Sequence, residues 1–316
     1  MVSYIIRRTI MAIPLLFGIT ILSFAIIQAA PGDPTSLLMD PSMKPSDKEA
    51  FRERYGLDEP VHVQYMKWLG NMVQGDFGDS IIKRGTPVSE LIMNRLPNTL
   101  LLMLTSTILA IIIAIPFGIY SAMRPYSKLD YTVTVTSFLG VATPNFWLGL
   151  ILIMFLSVTL GWFPTGGVST LNADFSLWDR IHHLILPAFV LATADMAALT
   201  RYTRSSMIDV LKQDYIRTAM SKGFKERKVV FKHGVRNGMI PIITIFGLML
   251  PSFIGGAAIT ERVFAWPGIG LLFIESAFQR DYPVIMALTV ISAVFVVIGN
   301  LVADILYAVF DPRIEY

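Results

Sequence analysis

The chain has 316 residues, 54% of them hydrophobic without counting glycine and 16% charged, where an average soluble domain has about 45–50% apolar even with glycine counted and about 25% charged. With a mean hydropathy of +0.59, this composition excludes a disordered chain and argues against an ordinary soluble enzyme. The absence of cysteine excludes a disulfide framework, a thiolate metal site and an iron–sulfur cluster, and the formal net charge is only +3.

Crossing the hydrocarbon core of a bilayer, roughly 30 Å thick, takes about 20 apolar residues. Six runs qualify: 9–30, 99–123, 135–160, 184–200, 239–259 and 284–310. The first follows Arg7 and Arg8 and ends at Gln28-Ala29-Ala30, which resembles a signal-peptide cleavage site. Its apolar run exceeds the roughly 7–15 residues of a signal core, so segment 1–30 is expected to stay as the first helix. Segment 31–98 opens with Pro31-Gly32-Asp33-Pro34 and is longer than a connection needs. Residues 46–55 and 61–73 are predicted as amphipathic helices, the second with Val61, Tyr65, Trp68, Leu69 and Met72 at spacings near three and four. Residues 75–80 read as a turn, so an ordered outer cap is expected, serving as a packing lid or a partner-docking surface. Residues 99–310 then form a five-helix core interrupted by a basic loop, 201–238, and 311–316 is a short tail.

Charge sets the orientation. With the N-terminus inside, the segments 1–8, 124–134, 201–238 and 311–316 carry 15 Lys and Arg, and the longer outside segments carry 11. The positive-inside rule therefore places both termini in the cytoplasm. The net charge divides into +9 inside, −4 outside and −2 from Asp195 and Asp304 within the spans.

The loop 201–238 alone has a net charge of +7 and carries internal pattern. Ser206-Met207-Ile208-Asp209 resembles a helix-starting capping box. Ile208, Leu211, Tyr215 and Ala219 follow at helical spacing, with Ile216 and Met220 beside them. Lys222 and Gly223 suit a helix end. A second helix is predicted over 225–235, broken by Asn237-Gly238, with Pro241 placed to start another. A segment this short has no core of its own. Its apolar face needs either the membrane surface or a groove in another protein, and periodicity leaves both open.

The segment Asp214-Tyr215-Ile216-Arg217-Thr218-Ala219-Met220-Ser221-Lys222-Gly223, with His233 and Arg236-Asn237-Gly238-Met239-Ile240-Pro241, resembles the coupling loop of bacterial ABC importer permeases of the oligopeptide/dipeptide/nickel branch. The general pattern is Glu-Ala-Ala, three residues, Gly, nine residues, Ile-x-Leu-Pro. Aligned on Gly223, its first three positions are Arg217, Thr218 and Ala219, and its last four are His233, Gly234, Val235 and Arg236, so only Ala219 and Gly223 match strictly. The departure agrees with the peptide-branch variant. Tyr4–Arg8, Ala30–Pro34, Gly75–Ser80, Pro144–Gly149, Leu186-Pro187-Ala188, Thr203–Met207, Glu261–Phe264, Trp266–Gly270 and Asp311-Pro312-Arg313 also resemble this branch, specifically the first of its two permease subunits.

The resemblance implies an all-α polytopic protein of the bacterial cytoplasmic membrane, with six transmembrane helices of the type I ABC importer permease kind. It also implies a second homologous permease, two ABC ATPases holding ATP and magnesium, an extracytoplasmic substrate-binding protein, lipid around the spans and a peptide substrate, with no nucleic acid. The chain has no Gly-Lys dipeptide, so a phosphate-cradling loop and a catalytic role in ATP hydrolysis are excluded from it. The coupling helix is expected over 212–224, with Asp214 at its start, Tyr215, Ile216, Ala219 and Met220 in an ATPase groove, Arg217 and Lys222 at the rim and Gly223 at the exit.

Three other features are candidates. Asp195 and Asp304 are charges within spans, suited to structure, gating or substrate and proton handling; they also raise the alternative of an intramembrane aspartyl enzyme. Gly247, Pro251, Gly255 and Gly256 make the fifth span a pathway or hinge candidate, or else a close packing surface for the partner permease. His182 and His183 raise a nickel or other small-solute alternative, but adjacent histidines supply too few convergent ligands for a resident metal.

Overall fold

The computed structural model describes residues 2–29, 58–83, 85–239, 242, 245 and 257–310, with the backbone alone at 2–5, 304 and 306–310. Among these residues every regular element is helical, apart from one isolated bridge between Asp79 and Pro87. The helices are α1 (Val2–Ala29), α2 (Val61–Val73), α3 (Val88–Met123), α4 (Lys128–Ala142) and α5 (Asn145–Thr159, its second half wound as a π-helix). They continue as α6 (Leu177–Leu211), α7 (Asp214–Ser221), α8 (226–238, with a central π turn Val230–Gly234), α9 (Ala258–Val263), α10 (Ile269–Gln279) and α11 (Tyr282–Phe310).

Four helices, α1, α3, α6 and α11, are long and apolar enough to cross a membrane, or five crossings if the bent pair α4–α5 counts as one. The expected third span is therefore not one straight helix: α4 and α5 meet at 105°. Pro144 explains the break. It has no N–H to continue the ladder, and it forces the preceding residue out of the helical region; Thr143 accordingly has ψ of 121°. Most of the fifth expected span, including Gly247, Pro251, Gly255 and Gly256, lies outside the described residues, as do the Asp304 side chain and the helix predicted over 46–55.

The seam between α3 and α6 organises the molecule. Leu102 and Met103 pack with Leu184, Ala188 and Leu191. Ala110 and Ala114 pack with Ala192 and Leu199, and Ile119 and Ala122 with Met207. Residue numbers rise together on both helices, so α3 and α6 run in the same direction. The chain returns between them through the bent pair α4–α5. At Gly118 the two helices touch backbone to side chain: a Cβ there would lie 2.6 Å from Thr203 Cβ.

At the start of α3, Val88 and Ile92 form a second core with Ile269, Leu272, Val284 and Leu288 of α10 and α11. Helix α1 packs along α11, with most of its large apolar side chains exposed, as suits a helix facing lipid. Tyr65 of α2 stands edge-on to Phe17 and Phe24, and its hydroxyl shares a 2.9 Å hydrogen bond with Thr20. The expected amphipathic helix over 61–73 thus lies against α1. The turn at 75–80 forms, with the Gly78 N–H donating to Asp76 Oδ1 at 2.9 Å.

Candidate functional site

The basic loop folds as a buttress on the end of α6. Helix α6 runs without a break from Leu177 to Leu211, so Ser206–Asp209 lies inside it and does not start a helix, contrary to the sequence expectation. No glycine or proline interrupts the stretch after Thr200, and Ser206 Oγ donates instead to the Gly238 carbonyl at 2.8 Å. The chain turns at Lys212 and Gln213, and α7 then occupies 214–221, shorter than the expected 212–224.

Six positions on α7 were candidates for the site. Asp214 lies in its first turn and pairs with Arg217 at 3.6 Å, both side chains exposed, an arrangement worth little in water. Ile216 is only 1% exposed, so it anchors the helix inside this chain and is not free for a partner. Tyr215 and Met220 are each 42% exposed, and Ala219 is half-buried. The Tyr215 hydroxyl accepts from Asn237 Nδ2 at 3.0 Å, tying α7 to α8. Lys222 is the C-cap, and Gly223 has φ of +80°, a left-handed conformation that glycine adopts without strain. A groove of about 680 Å³ opens beside α7, lined by Tyr202, Asp209, Gln213, Tyr215 and Asn237 among others.

An ion pair between buried Asp130 and half-buried Arg204 braces this end. Arg204 Nε and Nη2 on α6 donate to Asp130 Oδ1 and Oδ2 at 2.6 and 2.8 Å. Asp130 also accepts from Ser121 Oγ on α3 and from the Tyr126 N–H at 2.8 Å.

Two more buried carboxylates hold the opposite end. Glu261 on α9 is fully buried. It accepts from Thr99 Oγ1 at 2.7 Å and from the Leu271 N–H at 2.8 Å, capping the N-terminus of α10. Trp266 Nε1 donates to the Asn98 carbonyl, and Asn98 Nδ2 to the Pro267 carbonyl, both at 3.0 Å. Asp281 accepts from Ser80 Oγ and, at 3.1 Å, from the Ile81 N–H. Sequence reasoning noticed Glu261–Phe264 and Trp266–Gly270 only as family-like strings and gave Asp130 and Asp281 no role. Their partners Arg204, Thr99 and Ser80 on other elements lie 74, 162 and 201 residues away, so spacing carries no signal of those contacts.

Asp195 is half-buried on α6, and among the described residues no ion pair reaches it; Arg201, nearby on the same helix, lies over the Tyr202 ring. His182 and His183 are engaged in local structure. His182 Nε2 contacts the Trp162 carbonyl at 2.6 Å, and His183 Nδ1 the Asp179 carbonyl at 2.8 Å. Among the described residues no three His, Asp or Glu side chains converge as metal ligands.

Comparison with known families matches residues 114–316 to the binding-protein-dependent transport system inner membrane component, and residues 1–103 to the N-terminal part of such components. The chain belongs to this permease family. Across its whole length the permease is 73% identical to the oligopeptide transport system permease protein AppB of Bacillus subtilis (strain 168), whose full length is also covered. It is 40% identical to the di/tripeptide transport system permease protein DppB of Pseudomonas aeruginosa (strain UCBPP-PA14), covering all of this chain and 99% of that one. It is also 40% identical to the glutathione transport system permease protein GsiC of Escherichia coli (strain K12), over the full length of both. Among solved structures, a chain of the MetNI methionine ABC transporter in an inward-facing conformation shares the fold, with a TM-score of 0.51 and 16% identity over 68% of this chain and 96% of that chain. The permease is accordingly a membrane-spanning, non-enzymatic transport subunit.

Proposed function

We propose that this permease is the first of two homologous membrane subunits of a peptide importer in the bacterial cytoplasmic membrane, with both termini in the cytoplasm. Two ABC ATPases, holding ATP and magnesium, dock on its basic loop, and an extracytoplasmic binding protein delivers the peptide. The observation that carries this reading is α7. It is a short helix at the loop's apex, anchored inward by Ile216, with Tyr215, Met220, Arg217 and Lys222 left exposed for a partner. Its exposed side chains mix apolar Tyr215 and Met220 with charged Asp214, Arg217 and Lys222, which fits a groove in an ATPase better than lipid tails. The peptide class is supported by the relatives at 73% and 40% identity, an oligopeptide and a di/tripeptide transport system permease. The nickel alternative draws no support from His182 and His183, which are occupied by backbone carbonyls.

In this mechanism ATP-driven closure of the ATPases displaces α7, and the spans shift between two states with different access. Ala219→Glu puts a charge on the half-buried edge of α7. Gly223→Val forces a β-branched residue to φ of +80°, at about 1–2 kcal/mol. Both variants are expected to reach the membrane and to lose uptake while the reconstituted complex still hydrolyses ATP. Normal coupled uptake by both would refute the assignment of α7.

A further inference from the structure

The ion pair Asp130–Arg204 joins more of the chain than two helices. Asp130 is 3% exposed. Its carboxylate gathers Arg204 from α6, Ser121 from α3 and the Tyr126 N–H from the intervening turn, while its own N–H donates to Ser127 Oγ at the start of α4. The guanidinium engages both carboxylate oxygens, the geometry that fixes orientation as well as distance.

The same end of α6 holds the basic loop. Met207 is fully buried against Ile119, Ala122 and Val230. Ser206 bonds Gly238, and Asn237 bonds Tyr215. Helix α7 is thus attached to α6 twice, directly through Lys212 and Gln213 and by return through α8. A displacement of α7 must be carried by α6. The fork of Arg204 on Asp130 carries it onward to α4 with a fixed orientation, beside the close packing of Gly140 on Thr193 and Ala197 farther along. Since α4 meets α5 at 105°, a small rotation of α4 swings α5 sideways.

We propose that Asp130 and Arg204 are positioning residues for transport: a joint that makes the coupling loop, α6 and the bent pair α4–α5 move as one body when the ATPases close. The inference rests on the function proposed above.

The test uses the complete reconstituted transporter with its partner subunits. The chain has no cysteine, so spin labels at Val135 on α4 and Thr218 on α7, both exposed, have no background from this subunit. In the otherwise unaltered protein the distance between the labels is expected to be the same without nucleotide and with ATP trapped. In Arg204→Gln it is expected to shift or broaden on ATP binding, and uptake per ATP hydrolysed to fall about tenfold in assembled complex, within the usual range of coupling between sites. Arg204→Lys keeps the charge without the fork and is expected to show the same changes at smaller size. Should Arg204→Gln not assemble, Arg204→Lys decides. Unchanged distance and unchanged uptake per ATP in the variants overturn the joint. So does an uptake loss that only tracks the amount of assembled complex, or an α4–α7 distance that already changes with ATP in the unaltered protein. Absence of any ATP-dependent uptake by the unaltered complex counts instead against the proposed function, and the distance comparison separates the two.

Discussion

At the residue scale, the buried carboxylates do the holding. Asp130, Glu261 and Asp281 are each 3% exposed or less, and each is surrounded by donors from other elements. A buried carboxylate left unpaired is costly, so these sites fix the elements that supply the donors. Among the described residues Glu261 has no ion-pair partner, and burial pushes its carboxyl above the usual carboxylate range, with Thr99, the amides of Leu271 and Gly270 and the charge of Arg95 pulling partly the other way. A carboxyl whose pKa is raised on folding keeps its proton in the folded state after the unfolded chain has lost it. Its stabilisation is therefore complete below the unfolded value, about 4.3, and is lost as pH rises through the raised folded value. Thermal unfolding of the purified protein is expected to move to lower temperature as pH rises through that window, and Glu261→Gln to flatten the slope. An identical slope in the variant would show that another group is responsible.

At the element scale, three sequences of one form have two outcomes. Ser127-x-x-Asp130 and Ser176-x-x-Asp179 both start helices, with each serine accepting from the aspartate N–H. Ser206-x-x-Asp209 has the same letters and sits in mid-helix, because Gly238 takes the Ser206 hydroxyl and Met207 is locked in a core layer. Local pattern proposes a cap and tertiary contact decides whether it is used. The amphipathic helix over 61–73 was legible because its period is strong and its partner α1 demands only an aromatic face. The bend at Pro144 was not, because continuous hydropathy across 135–160 reads the same for a straight span and a broken one. The close crossing of α3 and α6 was equally hidden. A side chain at Gly118 would meet Thr203 Cβ at 2.6 Å and the Thr200 carbonyl at 2.9 Å. Gly118→Leu is expected to destabilise the protein by about 1–3 kcal/mol or more through overpacking, measured as a lowered unfolding temperature. Gly70→Leu on α2, where nothing lies within 4 Å, is the control expected to show no such loss. Equal stability of the two variants would contradict the crossing.

At the scale of the whole molecule, the parallel run of α3 and α6 and the bent return between them place the turn 124–127 and the basic loop at one end, and the Glu261 and Asp281 clamps at the other. The proposed orientation puts the first end in the cytoplasm. Single cysteines in this cysteine-free chain test it: in intact cells, a membrane-impermeant thiol reagent is expected to label Asp76→Cys and not Thr218→Cys, and to label both once the cells are opened. Labelling of Thr218→Cys in intact cells would invert the topology.

The sequence by itself determined the class of protein and the division of charge among its segments, because apolar run length, charge count and motif spacing are properties of the linear chain. The net charge of +3 concealed a separation that was plain once divided by segment. Only the tertiary structure decided that Ile216 faces inward while Tyr215 and Met220 face out, that α6 runs unbroken into the loop, and that Arg204 grips Asp130 across 74 residues of sequence. Those outcomes depend on which groups meet when helices pack, and a buried charge finds its partner by proximity in space, to which spacing along the chain is blind.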